Sequence, residues 1–353
     1  MNPSGNRNSN IELLRILAMM GVVMLHYNNP DLGGGMLAVP SGSLSEVLMF
    51  FLESVFIGAI NVFIIISGYY LSDNKKLGFF KPITLYIQVF FFKILLYLID
   101  LITNFQQFSI KGMLSSLAPK YWFFSVYIAL YMISPFINVL LEKLESKALR
   151  TLMILLIVLF SIQPTIVDAL AEYFDFSLNQ MNFFGGAGTN HGYNIVQFVL
   201  MYVIGVVIRK HESEFFRIPA TTYILIFILC TGITTVWSYF QETALNYSNP
   251  VVIAASVSLF MVFLKIKPRT NKVINTIAKA SFTVYLLNVD LLRFFNIPLF
   301  VTKGAGIYLL HTFAVSLSIY LFSLALYFIF DLITKPLFRS IHKHTEKWDY
   351  TIK

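Results

Sequence analysis

Long apolar stretches separated by short polar segments run along nearly the whole chain. Stretches long enough to cross a membrane, which takes about 20 residues, cover 11–28, 47–71, 83–103, 122–141, 149–167, 194–209, 222–240, 250–266, 277–296 and 307–334. We therefore predict an all-α polytopic membrane protein, a single bundle of about 10 transmembrane helices. Residues 1–10 are predicted to be a disordered N-terminus, 11–334 one membrane domain, and 335–353 a basic tail.

Composition and charge support the same class. Hydrophobic residues make up 57% of the chain and charged residues only 12%, against roughly 25% charged residues in soluble domains. The net charge of +8 does not indicate nucleic-acid binding, because 20 of the 26 Lys and Arg residues lie in alternate connections and at the two termini. This bias follows the positive-inside rule, which predicts cytoplasmic termini and an external loop at 168–193. Membrane lipid is an expected partner and nucleic acid is not.

The chain carries none of the short motifs that mark common soluble enzymes. Its single cysteine, Cys230, lies inside an apolar stretch, so neither a disulfide nor a thiolate metal site is expected. A P-loop, a dinucleotide-binding glycine loop, a CxxC pair and an HExxH sequence are all absent. We therefore predict no bound metal and no bound cofactor. The first apolar stretch lacks a signal-peptide cleavage site and is expected to remain as a helix.

Two polar residues in that first stretch are the strongest candidates for chemistry. Arg15 and His26 are about three helical turns apart, which places them on one face and about 16 Å apart along the axis. Glu12 is placed to pair with Arg15 at i,i+3. An arginine facing lipid would cost about 2.5–3.5 kcal/mol, which favours a site between helices. The sequence leaves open that Arg15 snorkels to the membrane surface and that His26 sits at the opposite interface.

Three further apolar stretches carry polar side chains on one face. The stripe on the second stretch, which suits either a polar lining or close helix packing, consists of Ser54, Gly58, Asn61 and Gly68. Lys93 lies near the middle of the third stretch, where a charge either binds a ligand or pairs with a carboxylate. The face on the fourth stretch consists of Tyr127, Tyr131, Ser134 and Asn138. Together these faces predict a hydrated cavity.

The sequence resembles the membrane-bound acyltransferase 3 family, in its polysaccharide O-acetyltransferase-like, Gram-positive form. The spacing of Arg15 and His26 in IELLRILAMMGVVMLHY is similar to the first-helix signature of that family. NVFIIISGYYLS (Asn61–Ser72), which contains Ser67, resembles its second-helix motif. YWFFSVYIALYMISPFIN (Tyr121–Asn138) resembles its fourth helix, and the motifs keep the family's order along nearly the whole chain.

Two departures from the family pattern concern the expected site. ASFTVYLLN (Ala280–Asn288) resembles a ninth-helix motif that usually ends in His, where this chain has Asn288. After the second helix the family commonly shows arginines, where this chain has Lys75, Lys76 and Lys81. Lysine neutralises a phosphate but lacks the bidentate fork of arginine, so a phosphate-binding role transfers only weakly to these positions.

The resemblance implies an activity and its substrates. It implies that the membrane domain is an O-acyltransferase, usually an O-acetyltransferase, in a bacterial cytoplasmic membrane. The implied donor is acetyl-CoA or a related cytosolic acyl-CoA, and the implied acceptor is a hydroxyl of a lipid-linked or surface polysaccharide such as capsule or exopolysaccharide. His26 is implied as the catalytic histidine and Arg15 as a donor-binding residue. Lys93 is a second candidate for donor binding or structural support.

The layout suggests how such a transfer would proceed. Basic residues and Arg15 would bind the CoA phosphates, and neutral His26 would take the proton of the acceptor hydroxyl. Glu53 is a candidate to orient the imidazole, and tyrosine or asparagine side chains would stabilise the oxyanion. The polar residues expected around the cavity are Glu12, Glu53, Asn61, Ser67, Tyr127, Tyr131, Asn138 and Asn288.

Two other functions also fit a membrane bundle with buried charge. A transporter or flippase for lipid-linked glycans would show corresponding interrupted helices in two halves, a pattern that the sequence lacks. A glycan polymerase would be expected to carry large arginine-rich external loops. The longest external loop, 168–193, contains neither Lys nor Arg. Both functions stay as alternatives to acyl transfer.

Overall fold

The computed structural model describes residues 7–117, 121–176, 181–184 and 188–352. Residues 1–6 of the predicted disordered N-terminus lie outside this part of the chain, as do seven residues of the predicted external loop, 177–180 and 185–187. The main helices are α1 (Ser9–Asn28), α2 (Leu44–Leu71), α3 (Phe80–Ile102), α4 (Trp122–Glu142), α5 (Ser146–Phe174), α6 (Ile195–Lys210), α7 (Ala220–Ser238), α8 (Pro250–Lys265), α9 (Ser281–Leu292) and α10 (Ala305–Thr345).

The predicted all-α polytopic membrane fold is confirmed. Each of the ten predicted stretches is helical over most of its length. In the described part of the chain, eight helical segments are long and apolar enough to cross a membrane. The other two are shorter, since α6 has 16 residues and α9 has 12. The α9 helix follows directly on a helical turn, Lys272–Ile277, and a short 3-10 segment.

Polar side chains fix where several helices begin. The side chain of Asn8 accepts a hydrogen bond from the backbone of α1, and Ser43 does the same for α2. Asn194 caps α6, and Asn249 caps α8 directly before Pro250. These side chains satisfy N–H groups that have no partner within the first turn of a helix. The boundaries of the bundle are therefore set by local chemistry as well as by the lengths of the apolar stretches.

The two ends of the bundle are distinct, and we name them after the first-helix residues near them. At the Arg15 end, the backbone N–H of Ser9 donates to the carbonyl of Arg269, and Lys75 pairs with Glu142 at 2.5 Å. At the His26 end, α1 contacts the start of α10 through a hydrogen bond from Tyr308 to Asn28.

Small residues on α2 serve close packing. The helix is interrupted at Ile57 and Gly58, and a Cβ at Gly58 would lie 2.4 Å from the Ser256 hydroxyl. A Cβ at Gly68 would lie 2.1 Å from the backbone oxygen of Tyr202 on α6. These distances are far below van der Waals contact, so only glycine allows the two backbones to approach this closely. The packing interpretation of this stripe is therefore correct at both glycines.

The C-terminal residues are folded onto the Arg15 end. The α10 helix runs through Pro336 to Thr345, past the predicted domain boundary at 334. Beyond it, Tyr350–Thr351 forms a two-residue antiparallel strand pair with Lys76–Leu77. A hydrogen bond from Lys76 to the carboxylate of Asp349 raises the pKa of the Lys76 ammonium. This segment therefore fixes the loop that follows α2.

Candidate functional site

The imidazole of His26 lies against the side chain of Asn288 on α9. Its Nδ1 forms a short hydrogen bond with the amide oxygen Oδ1 of Asn288. Asn288 is fully buried, whereas His26 is only partly buried. The two residues that the sequence placed in different family motifs are thus direct partners in the fold.

The Asn288 amide fixes the tautomer of His26. Its Nδ2 donates to the backbone carbonyls of Val284 at 3.1 Å and Tyr285 at 2.7 Å, so its oxygen must face the imidazole. An amide oxygen only accepts hydrogen bonds, so the Nδ1 of His26 carries the proton. In the neutral ring, Nε2 is then the unprotonated nitrogen. The arrangement makes Nε2 the basic nitrogen of His26.

A second network surrounds the residues that follow His26. The Asn28 amide donates to Glu53 Oε1 at 2.9 Å and accepts from the Tyr308 hydroxyl at 3.0 Å. The Tyr27 hydroxyl and His311 Nδ1 lie 2.8 Å apart. Glu53 was expected to orient the imidazole of His26, but the structure gives that position to Asn288. Glu53 instead accepts from the side chain of Asn28, two positions beyond His26.

A glycine lies directly against the end of α1. The backbone N–H of Gly33 donates to the carbonyl of His26 at 2.9 Å. A Cβ at Gly33 would lie 2.2 Å from the backbone oxygen of Tyr27 and 2.7 Å from that of His26. Any larger residue would push this loop away from the helix. Gly33 therefore helps to fix the backbone that carries the imidazole.

Arg15 forms the i,i+3 pair predicted from the sequence. Its Nη1 lies 3.7 Å from Glu12 Oε1. The Arg15 side chain is 33% exposed and that of Glu12 is 9% exposed, so the carboxylate is the more buried partner. The buried Nε of Arg15 has no hydrogen-bond partner among the described residues. An unpaired buried donor of this kind costs free energy unless a ligand or water meets it.

Lys81 and two tyrosines of α4 extend the positive charge near Arg15. The ammonium of Lys81 donates to the Tyr127 hydroxyl at 2.7 Å and lies 4.7 Å from the centre of the Tyr131 ring. Arg15 also acts electrostatically on the Tyr127 hydroxyl, and Ser67 lies beside it. We call Arg15, Lys81 and Tyr127 the cationic cluster. It is suited to hold an anion.

Aromatic rings connect the cationic cluster to the partner of His26. The Tyr127 ring is stacked on that of Phe123 at 5.9 Å, and Phe123 lies 5.3 Å from the Tyr285 ring. The carbonyl of Tyr285 in turn accepts from Asn288. Arg15 and His26 are about 16 Å apart along one helix face. Apolar rings therefore line the interval between the two polar groups.

The remaining predicted site residues lie elsewhere. The ammonium of Lys93 lies 4.6 Å from the centre of the Tyr121 ring and is about 18 Å along α3 from Lys81. Asn61 donates to the carbonyl of Tyr247 at 2.9 Å and is fully buried. Lys93 is therefore outside the cationic cluster, and Asn61 ties α2 to the segment before α8.

Asn138 caps the end of α2. Its amide donates to the carbonyls of Leu71 at 2.7 Å and Asn74 at 2.8 Å, and accepts from Tyr202 at 3.0 Å. Carbonyls at the end of a helix need such partners. The two amide protons of Asn138 are thus occupied. Tyr131 also lies near this end of α2. The expectation that Asn138 would donate to an oxyanion at His26 is therefore not met by the geometry.

Some of the contacting residues were not identified from the sequence. Asn28 and Tyr308 give no sequence signal, because their pairing joins positions 280 residues apart. His311 bonds to Tyr27 and stacks on Phe300 at 3.9 Å, and neither contact has a local signal in the sequence. Among the described residues, no group of three or more His, Cys, Asp or Glu side chains is arranged to hold a metal ion.

Comparison with known proteins identifies the family. The sequence model of the acyltransferase 3 family, described as an acyltransferase domain, matches residues 8–339 of this chain. The chain therefore belongs to this family and is a membrane acyltransferase, as predicted. No curated protein and no solved structure matches the chain.

Proposed function

We propose that this member of the acyltransferase 3 family transfers an acetyl group from cytosolic acetyl-CoA to a hydroxyl of a cell-surface or exported polysaccharide. The observation that carries the proposal is the bond between His26 and Asn288, which makes Nε2 the basic nitrogen of His26 on the helix that also carries Arg15. The cationic cluster at one end suits a donor that enters from that side. The general base at the other end suits an acceptor that arrives there.

The cationic cluster provides the donor site in this proposal. Arg15 and Lys81 offer two positive charges to the phosphates of CoA, and the unpaired Nε of Arg15 gains a partner when they bind. The pantetheine arm is long and narrow, and it extends past Phe123 and Tyr285 toward His26. The apolar rings in this interval exclude water from the thioester.

The transfer step uses His26 as a general base. As the acceptor oxygen attacks the thioester carbonyl, His26 Nε2 takes the hydroxyl proton, and a C–O bond forms. The tetrahedral oxyanion then collapses, the C–S bond breaks, and the imidazolium returns the proton to the departing thiolate. Asn288 accepts from Nδ1 throughout and stabilises the imidazolium. Base catalysis of this kind typically accelerates a reaction by about 10²–10⁴-fold.

Orientation in the membrane follows from charge. Because Lys and Arg gather in the connections at the Arg15 end, the proposal assigns that end to the cytoplasm, where acetyl-CoA is made. The His26 end is then placed at the outer surface of a bacterial cytoplasmic membrane. Acyl transfer across this span requires no movement of the glycan into the cytosol.

The experiment that tests the proposal is mass analysis of surface glycan from a strain that lacks the gene. The proposal predicts loss of acetyl increments with unchanged glycan amount and chain length, and their return when the gene is restored. Loss of the glycan itself would favour a flippase, and shortened chains would favour a polymerase. A fully acetylated glycan in the deleted strain would contradict the proposal.

A further inference from the structure

Three aromatic side chains are stacked at the His26 end, away from the cationic cluster. The ring of Trp122, at the start of α4, lies 4.4 Å from that of Tyr193 at an interplanar angle of 24°. It also lies 6.1 Å from the Tyr247 ring at an angle of 27°. We call these three residues the aromatic stack.

Hydrogen bonds fix the backbone at one member of the aromatic stack. The carbonyl of Tyr247 accepts from Asn61 at 2.9 Å and from Gln197 at 2.8 Å, and its N–H donates to the carbonyl of His191 at 3.0 Å. His191 has a φ of 54°, and its Nδ1 lies 2.8 Å from Asn246 Oδ1. These bonds tie the backbone of Tyr247 to α2, to α6 and to the segment that carries Tyr193. Such preorganisation is expected of a binding surface, because it lowers the entropy lost on binding.

One side of the stack is open and the other faces the bundle. Tyr193 is 37% exposed and its neighbour His191 is also exposed, whereas Tyr247 is 7% exposed. Trp122 packs on Phe198 of α6 at 5.9 Å, which places it against the protein. Aromatic residues of a membrane belt contact lipid at the interface. A stack with a buried base and an exposed hydroxyl-bearing ring differs from such a belt.

The stack is close to the network around His26. The Trp122 ring lies 6.0 Å from that of Phe123, which lies 5.3 Å from the Tyr285 ring. The carbonyl of Tyr285 accepts from Asn288, the partner of His26. The aromatic stack is therefore connected, through two packed rings, to the residue that holds the His26 imidazole.

We propose that the aromatic stack is the acceptor subsite, and that it binds a sugar ring of the polysaccharide. A pyranose offers an apolar face of C–H groups to an aromatic ring and a rim of hydroxyls to the polar groups around it. Aromatic surfaces with a few convergent polar groups are typical of ligand sites. This inference rests on the proposed function, since it names where the acceptor of that reaction binds.

Binding can be measured without acyl transfer. The chain has three tryptophans, and replacing Trp237 and Trp348 by Phe leaves Trp122 as the only one. The probe is the surface polysaccharide of the producing strain, freed of acetyl groups by mild base. Added to the protein in detergent, it should change Trp122 fluorescence saturably. Tyr193→Ala in this background should weaken the binding about tenfold, an effect of the size expected for one aromatic contact.

Kinetics in proteoliposomes separate the subsite from the reaction. Tyr193→Ala should raise the KM for the polysaccharide about tenfold and leave the KM for acetyl-CoA unchanged. The matched control is Tyr173→Ala, which removes a 75% exposed aromatic at the same end and should change neither constant.

The possible results distinguish the two proposals. An unchanged acceptor KM in Tyr193→Ala, with active wild-type protein, would overturn the subsite and leave the function intact. Saturable binding that Tyr193→Ala weakens, without any acetyl transfer by the wild type, would support the subsite and overturn the function. An absence of both binding and transfer would overturn both.

Discussion

His26 on α1 and Asn288 on α9 are joined at one nitrogen, Nδ1 of the imidazole. Asn288 can only accept there, because its own N–H groups donate to Val284 and Tyr285. Where the family usually has a second histidine, this chain thus has a residue whose geometry sets the protonation of the first. The consequence is a histidine whose Nε2 is available as a base.

Asn288→Leu should no longer fix the tautomer of His26. The buried Nδ1–H would lose its partner, at a cost of about 1–3 kcal/mol, and the tautomer would no longer be fixed. We expect kcat to fall roughly 10- to 100-fold with both KM values little changed. The measurement is acetyl transfer by purified protein in proteoliposomes.

The control for this variant is Thr283→Val on the same helix, which removes a hydrogen bond from Gln88 at 2.9 Å. It should lower stability but leave kcat unchanged. Equal losses of kcat in the two variants would show that Asn288 has a purely structural role.

Arg15→Lys tests donor binding. If Arg15 only snorkels, lysine should replace it without loss, since both have a charge on a flexible stem. We expect instead that acyl transfer falls at least about tenfold, mainly through a higher KM for acetyl-CoA, because lysine lacks the Nε and the fork. Arg150→Lys, at an exposed pair with Glu214, is the control. A lowered kcat with unchanged KM would place Arg15 outside the donor site.

Lys81 and Tyr127 should act as a unit. Lys81→Met and Tyr127→Phe each remove the 2.7 Å hydrogen bond between them, and each should raise the KM for acetyl-CoA. The double variant should then be less impaired than the product of the single effects, as expected for residues in direct contact. Strictly multiplicative effects in this double-mutant cycle would show that the contact has no part in donor binding.

Gly33→Ala should destabilise the protein at the end of α1. The added methyl would meet the backbone of Tyr27 at 2.2 Å, so we expect a loss of roughly 2 kcal/mol or more. The readouts are the yield in the membrane and the Tm in detergent. Gly306→Ala is the matched control, because a Cβ there meets nothing within 4 Å. A Gly33→Ala protein as stable as the control would contradict the close contact.

Orientation can be tested with introduced cysteines. After Cys230→Ser, Asn190→Cys should react with an impermeant maleimide on intact cells, and Lys347→Cys only after lysis. Both positions are exposed, at the His26 end and the Arg15 end respectively. The reverse labelling pattern would refute cytoplasmic termini.

The fold class and the first-helix pair could be predicted from the sequence because both depend on local patterns. Apolar length identifies a membrane helix, and helical spacing places Glu12 beside Arg15, as found. Partnership across the bundle has no such local signal. Asn288 was recognised only as a departure from a motif, and its contact with His26 depends on how α1 and α9 pack.

The lack of a local signal for contacts between helices also explains why some predicted site residues lie outside the site. Asn138 shares a helix face with Tyr127, which suggested a common cavity, but about 16 Å of helix separates the two. The carbonyls at the end of α2 determine its role, and their position is set by tertiary packing. Glu53 likewise lies near His26 but bonds to Asn28.

The central claim, that His26 is the general base of acetyl transfer, is tested most directly by His26→Gln in proteoliposomes. Labelled acetyl-CoA is supplied at the Arg15 end and de-O-acetylated polysaccharide at the other, with His344→Gln at an exposed site as the control. We predict that the control matches the wild type and that His26→Gln keeps a normal Tm but loses about 10²–10⁴-fold in kcat. Transfer within a few-fold of the wild type by well-folded His26→Gln protein would contradict the claim.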